Sequence, residues 1–233
     1  MATGTIHNKD QFLTKISSKL GRERIEHVVL PEWQHRPQLE VLKEASVDEL
    51  AAAFKKNSLE KSTYVIETDK ANLAETLQEV INKYGGGQVV ASKDSRFSEF
   101  GLDAVLDSEE THVWDSFLGQ VNIEIAKKAN IGLIFSDTAL AESGTIVQFN
   151  DKDIARSISL LPLVYVAIVP KSTIVPRMTQ VAQAVHKSVE AGNNLATCIN
   201  FISGPSNSAD IEMNIVIGVH GPVEAVHIIV DDL

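Results

Sequence analysis

Residues 62–91 read STYVIETDKANLAETLQEVINKYGGGQVVA. The stretch predicts a buried strand over Thr63–Glu67, a helix over Ala71–Tyr84 and a strand over Gln88–Ala91. Leu73, Leu77, Val80, Ile81 and Tyr84 recur at helical spacing and share one face. The triplet Gly85-Gly86-Gly87 follows that helix rather than opening one, so it reads as a helix stop and not as a phosphate loop. Strand, helix, strand is the unit of a parallel sheet, and such sheets are covered by helices on both faces.

Downstream the alternation continues. Ala104–Leu106 reads as a short strand, Phe117–Ala129 as a helix, Ile131–Phe135 and Ile146–Phe149 as strands, and Lys152–Leu160 as a short helix. Leu163–Val169 reads as a buried strand. Pro176 then opens a helix at its first position and Gly192 closes it, with Met178, Val181, Ala182, Val185 and Val189 as its stripe. Ile215–Val219 and Ala225–Val230 read as strands. Strands crowd toward the C-terminus, which predicts an antiparallel part or a second layer.

Upstream, Ser46 and Glu49 are spaced as a capping box ahead of a helix that buries Leu50 and Phe54. Lys9–Leu20 predicts a helix with Phe12, Leu13, Ile16 and Leu20 on one face and Gly21 as its stop. Arg22–Leu42, with Pro31, Trp33 and Pro37, shows no period and reads as extended. The expected architecture is α/β: an N-terminal helical arm over 1–44 and a three-layer domain over 45–233 built on a mostly parallel sheet.

The chain of 233 residues is 44% apolar, enough for a sizeable core. A net charge of -10 repels phosphate backbones, so nucleic acid is not an expected partner. Cys198 is the one cysteine. A single thiol makes neither an intrachain disulfide nor a cluster site, and its apolar surroundings suggest a buried packing residue. The N-terminus is polar, and the longest apolar run, about Leu160–Val169, is interrupted by Pro162. No transmembrane segment and a cytoplasmic location are therefore expected.

Three segments beside predicted strands hold the candidate chemistry. The first runs from Asp137 to Thr145. Within it, Glu142 can serve as a base or an acyl nucleophile, Ser143 and Thr145 offer hydroxyls, and Gly144 permits close approach of a ligand to the backbone. A polar hairpin with Glu142 exposed explains the same residues. The second segment runs from Ser203 to Glu212. There Gly204, Ser206 and Ser208 can cradle an anion, and Asp210 and Glu212 share a face if extended; an ordinary turn and a solvated edge are the plainer readings. The third, Gly218–Pro222, sets His220 between glycines after a strand, either as an acid/base or as a structural residue. The histidines form no metal motif, and HExxH, GxSxG and P-loop patterns are lacking.

AESGTIVQF (141–149), SISLLPLVYVAIVPKSTIVP (157–176) and FISGPSNSADIEMNIVIGVHGP (201–222) resemble the lactate-utilization domain family, over about residues 45–233. The resemblance implies a fold similar to sugar-phosphate isomerases and CoA transferases. Glu142-Ser143-Gly144 is similar to the transferases' catalytic Glu-Asn-Gly, with Ser143 in place of asparagine. It also implies a subunit of a bacterial L-lactate-degrading system that has no redox cofactor of its own and acts beside iron–sulfur partner subunits. The residues favour one shared pocket for a small organic anion, in which Glu142, Ser143, Gly144 and Thr145 meet Gly204, Ser206, Ser208, Asp210 and His220. Two further readings remain open: a free-standing acyl- or sugar-phosphate-handling enzyme using Glu142 and His220, and a scaffold subunit or homo-oligomer.

Overall fold

The computed structural model describes residues 6–25, 27, 29, 31–108, 110–211 and 214–233, with side chains at 209–211 excluded. The chain divides into two units, residues 1–37 and 38–233.

The first unit holds helix α1, Lys9–Lys19, ended by Gly21 at φ 62°. Ser17 donates back to the Leu13 carbonyl at 3.0 Å, and Arg24 pairs with Asp10 at 2.8 Å. Phe12, Ile16 and Leu20 are exposed.

The second unit begins its regular structure with α2 (Val47–Glu60). The predicted capping box is present: Ser46 Oγ accepts from the Glu49 N–H, and the Glu49 carboxylate accepts from the Ser46 N–H at 2.8 Å. There follow β1 (Tyr64–Asp69), α3 (Leu73–Lys83), β2 (Val89–Ala91), α4 (Arg96–Glu99), α5 (Asp103–Leu106), β3 (Thr111–Val113), α6 (Gln120–Ala126) and β4 (Ile131–Phe135). Next come β5 (Thr138–Leu140), β6 (Thr145–Asn150), α7 (Ser157–Leu160), β7 (Val164–Pro170), β8 (Ile174–Val175) and α8 (Met178–Glu190). The last elements are β9 (Cys198–Ile202), β10 (Asn207–Ile211), β11 (Asn214–Ile217) and β12 (Glu224–Asp231).

Six strands form a wholly parallel sheet in the order β1-β12-β7-β4-β2-β3. One face packs on α3 and the α4–α5 turn through Leu73, Leu77, Phe97 and Leu102. The other meets α2, α6, α7 and a second sheet, through Phe54, Ala126, Ile158 and Ile146. That second sheet, β8-β5-β6-β9, is largely antiparallel and carries α8 on its outer face through Leu140, Val147 and Val181. The expected mostly parallel sheet is thus present, with the second layer that the strand crowding predicted.

Local differences have local causes. β1 lies at the sheet's edge and is half-exposed rather than buried. Ala104–Leu106 belongs to a helical turn, because an apolar triplet is too short to show a period. Gly119, at φ 48° and ψ -118°, separates a 3₁₀ turn at Ser116–Leu118 from α6, so Phe117–Ala129 is not one helix. The Asp151 carboxylate takes the N–H groups of Asp153 and Ile154, which competes with helix at Lys152. Ile174–Val175 pairs with β5, so α8 starts at Met178 and Pro176 precedes it. Part of the second segment, expected as loop, is β10, and Cys198 begins β9 half-buried, its thiol 3.4 Å from Asn200 Oδ1.

Candidate functional site

The first segment is a β5–β6 hairpin whose turn, 141–144, is held from several sides. The Asn57 amide donates to the Ala141 carbonyl at 2.7 Å. The Ala141 and Glu142 N–H groups donate to the Val175 and Pro176 carbonyls at 2.9 and 3.0 Å. Gly144 sits at φ 62° against α2, where an added Cβ would lie 2.5 Å from the Ser58 nitrogen, so no side chain fits. Ser143 and Thr145 join their hydroxyls at 2.7 Å.

This turn presents Glu142 to Arg177, whose Nε donates to Glu142 Oε2 at 2.8 Å. Among the described residues, Arg177 makes no other ion pair. Gln180 Oε1 accepts from the Arg177 N–H at 3.1 Å as α8 begins. Beside the pair lies a cavity of about 660 Å³. Leu140, Met178, Ala182 and Phe201 form its apolar wall, and Glu142, Ser143, Thr145 and Arg177 its polar side. The site combines a guanidinium paired with the Glu142 carboxylate, two hydroxyls paired with each other and a helix N-terminus, groups that can donate hydrogen bonds to a small anion.

The second segment meets the first. Ser203 Oγ donates to the Ser143 carbonyl at 3.5 Å, and β6 pairs with β9 from Ile146↔Ile202 onward. Gly204 rests on the same end of α2, where a Cβ would lie 2.4 Å from the Lys61 carbonyl oxygen. The third segment is tied to the second at Ser206. Its N–H donates to the Pro222 carbonyl at 2.9 Å, and its carbonyl accepts from the Gly218 N–H at 2.8 Å. Ser208 lies opposite Val216 in the β10–β11 ladder. His220 is exposed in a turn, and neither it nor Ser206 or Ser208 lines the cavity. Asp210 lies on β10, but its side chain and all of Glu212 fall outside the described residues.

Residues 51–230 match the family model described as the LUD domain. The chain belongs to the LUD domain family. Along its full length it is 51% identical over 232 residues to Lactate utilization protein C of Macrococcus caseolyticus, covering 100% of both. It is 49% identical over 239 residues to Lactate utilization protein C of Bacillus subtilis strain 168, again covering 100% of both. A crystal structure of a DUF162 family protein from Deinococcus radiodurans superposes with a TM-score of 0.56 at 19% identity. It covers 79% of this chain and 98% of that one, a likeness of fold.

This LUD domain holds two polar groupings that the sequence did not assemble, although Asp137 of the first opens the first candidate segment. In the first, Arg96 forks between Asp94 and Asp137, at 2.6 and 2.8 Å, while its Nη1 donates to the Ser136 carbonyl at 2.9 Å. These residues follow β2 and β4, adjacent strands whose onward connections run in opposite directions, the usual ligand crevice of open parallel sheets. Burial pushes the Asp137 carboxyl up, against the Phe149 N–H and Arg96, which favour its charged form. Charged residues directly after a predicted strand were the available signal. In the second, His227 on β12 stacks on Phe54 with ring centroids 5.3 Å apart, and its Nδ1 lies 3.1 Å from Ser58 Oγ. Complete burial pushes its pKa down to about 3. Nothing local to His227 announced this. Among the described residues, no three His, Cys, Asp or Glu side chains are grouped to hold a metal ion, and no helix is long and apolar enough to cross a membrane.

Proposed function

We propose that this chain serves bacterial L-lactate degradation as a subunit of a system that oxidises lactate to pyruvate, beside iron–sulfur partner proteins. The observation that carries the reading is the 49–51% identity, over the full length of both chains, to proteins named Lactate utilization protein C. Oxidation of lactate releases two electrons, and these need a carrier. A four-cysteine cluster needs four thiolates, and this chain has Cys198 alone, so its donor set does not fit such a cluster and the carrier is assigned to the partners. In this reading the hairpin cavity takes a small organic anion. Arg177 and the start of α8 attract its carboxylate, the Ser143 and Thr145 hydroxyls orient it, and Glu142 positions Arg177 and can accept a proton.

The test is lactate-dependent dye reduction by the chain alone, by its iron–sulfur partners alone, and by the mixture. Activity confined to the mixture is the expected result. Full activity of the partners without this chain overturns the proposal, and turnover of an acyl-CoA or sugar phosphate by the isolated chain replaces it with the enzyme reading. Glu142→Gln, nearly isosteric, should fold normally and abolish activity of the mixture. Full activity would remove Glu142 from the mechanism.

A further inference from the structure

The Glu142 cavity has two sides of different chemistry, and together they describe a ligand. On the polar side Arg177 Nε lies 2.8 Å from Glu142 Oε2, with the two side chains still 26% and 40% exposed. An ion pair this open is weakly held, so a ligand can contact both members. No other described residue that lines the cavity is charged, so the two formal charges cancel. A plain carboxylate drawn to Arg177 also faces the Glu142 carboxylate, which repels it. A hydroxyl on the carbon next to that carboxylate offsets the repulsion. The ligand's carboxylate then accepts from Arg177 while its hydroxyl donates to Glu142.

The apolar side is larger than a methyl group can cover. Leu140 on β5 is buried, whereas Met178 at the start of α8 and Phe201 on edge strand β9 are 55% and 41% exposed. Ala182, one helical turn beyond Met178, adds only a methyl to this wall, which keeps the cavity open. At about 660 Å³ the cavity lies in the range that holds drug-sized ligands, and lactate offers its wall a single methyl. An aromatic or branched side chain instead covers Met178 and Phe201, whose thioether and ring both make favourable contacts with an aromatic group.

We infer that the cavity takes an α-hydroxy acid with a large apolar side chain in preference to lactate. The carboxylate sits on Arg177, the hydroxyl on Glu142 and the side chain over Met178 and Phe201. The inference rests on the reading of the hairpin cavity as an anion site and names the class of its ligand.

Isothermal titration calorimetry on the full chain tests it with four acids: L-lactate, L-phenyllactate, phenylpropanoate and L-phenylalanine. Phenyllactate should bind about 10–100-fold more tightly than lactate, from burial of its ring. It should also bind about fivefold more tightly than phenylpropanoate, which lacks the hydroxyl. Ala182→Trp, which fills the space beside the wall, should narrow the first ratio, and Glu142→Gln, which removes the repelling charge, should narrow the second. Circular dichroism melts check that the variants fold, and Phe201→Ala replaces Ala182→Trp if the latter does not. Lactate binding as tightly as phenyllactate overturns the inference and leaves the small-anion reading standing. Failure of all four acids to bind overturns both. Phenylpropanoate binding as tightly as phenyllactate, or ratios unmoved in the folded variants, overturns the inference alone. So does tighter binding of phenylalanine, which would assign Glu142 to an ammonium group. Dye reduction by the mixture with the iron–sulfur partners measures the subunit role separately from all of these outcomes.

Discussion

Strands β7 and β6 are nearly equally buried but differ in how much polar surface they bury: one unpartnered hydroxyl, that of Tyr165, on β7, and two amide side chains on β6. β7, at the middle of the parallel sheet, is Val-Tyr-Val-Ala-Ile-Val-Pro and is buried at every residue. β6, in the second sheet, is Thr-Ile-Val-Gln-Phe-Asn and is buried at all but Phe149. Gln148 is 0% exposed, yet neither end of its amide has a partner among the described residues; the same holds for Asn150 Oδ1 and for Asn200 Nδ2 on the paired strand. An unpaired buried polar group costs about 1–3 kcal/mol, whereas a buried aliphatic side chain contributes a similar amount in the opposite sense. The parallel sheet has such groups too, the Tyr165 hydroxyl on β7 and His227 Nε2 on β12, but the second sheet, which carries the Glu142 turn, gathers three amide side chains with unpartnered atoms on two paired strands.

Truncation of the parallel sheet should have the largest effect. Leu133→Ala, in fully buried β4, should lower the unfolding free energy by about 3–4 kcal/mol in urea titration. A loss below about 1 kcal/mol would remove the distinction between the sheets. Gly144→Ala combines a left-handed backbone with a clash against Ser58 and should cost about 2–3 kcal/mol. Because that turn carries Glu142, partner-dependent lactate oxidation should fall with it, while Gly86→Ala, also at positive φ but with open space around it, should leave activity unchanged.

His227 sharpens the comparison through pH. Its folded pKa, about 3, lies below the ordinary 6.5, so the native state favours the neutral ring. The stability it contributes is complete above pH 6.5 and is lost as pH falls toward 3. Between pH 7 and pH 5 that loss should be about 2 kcal/mol, and His227→Gln should flatten this part of the profile. An unchanged slope in the variant would show that other groups set the acid limb. The smallest effect is expected in the second sheet. Gln148→Met removes an unpartnered amide at similar volume and should change stability by no more than about 1 kcal/mol, as a gain if anything. A loss above about 2 kcal/mol would show that the amide is satisfied, for instance by internal water.

The legible features were those with a short-range period or a cap. The α3 stripe, the Ser46–Glu49 box, the continuous apolar run of β7 and the glycine stops at Gly21 and Gly192 could all be read from neighbours within a few residues. Strand β9 was missed because its chain, Cys-Ile-Asn-Phe-Ile, mixes polar and apolar residues on a half-exposed edge and lacks a clean alternation. The candidate site was legible as far as Glu142, Ser143 and Thr145. Arg177 was not, because nothing in its own neighbourhood shows that it will meet a carboxylate 35 positions earlier in the chain.

By itself the sequence determined the alternation that makes a parallel sheet, the helix cap at Ser46 and the glycine stops, and the motifs that mark the family. The tertiary structure alone decided how the Glu142 turn is held. Asn57 reaches the Ala141 carbonyl across 84 residues, and His227 meets Ser58 across 169. Gly144 and Gly204 both need the end of α2 beside them to explain why they lack a side chain. The reason is physical: periodicity records which face a residue turns inward, but not which distant element will be waiting there.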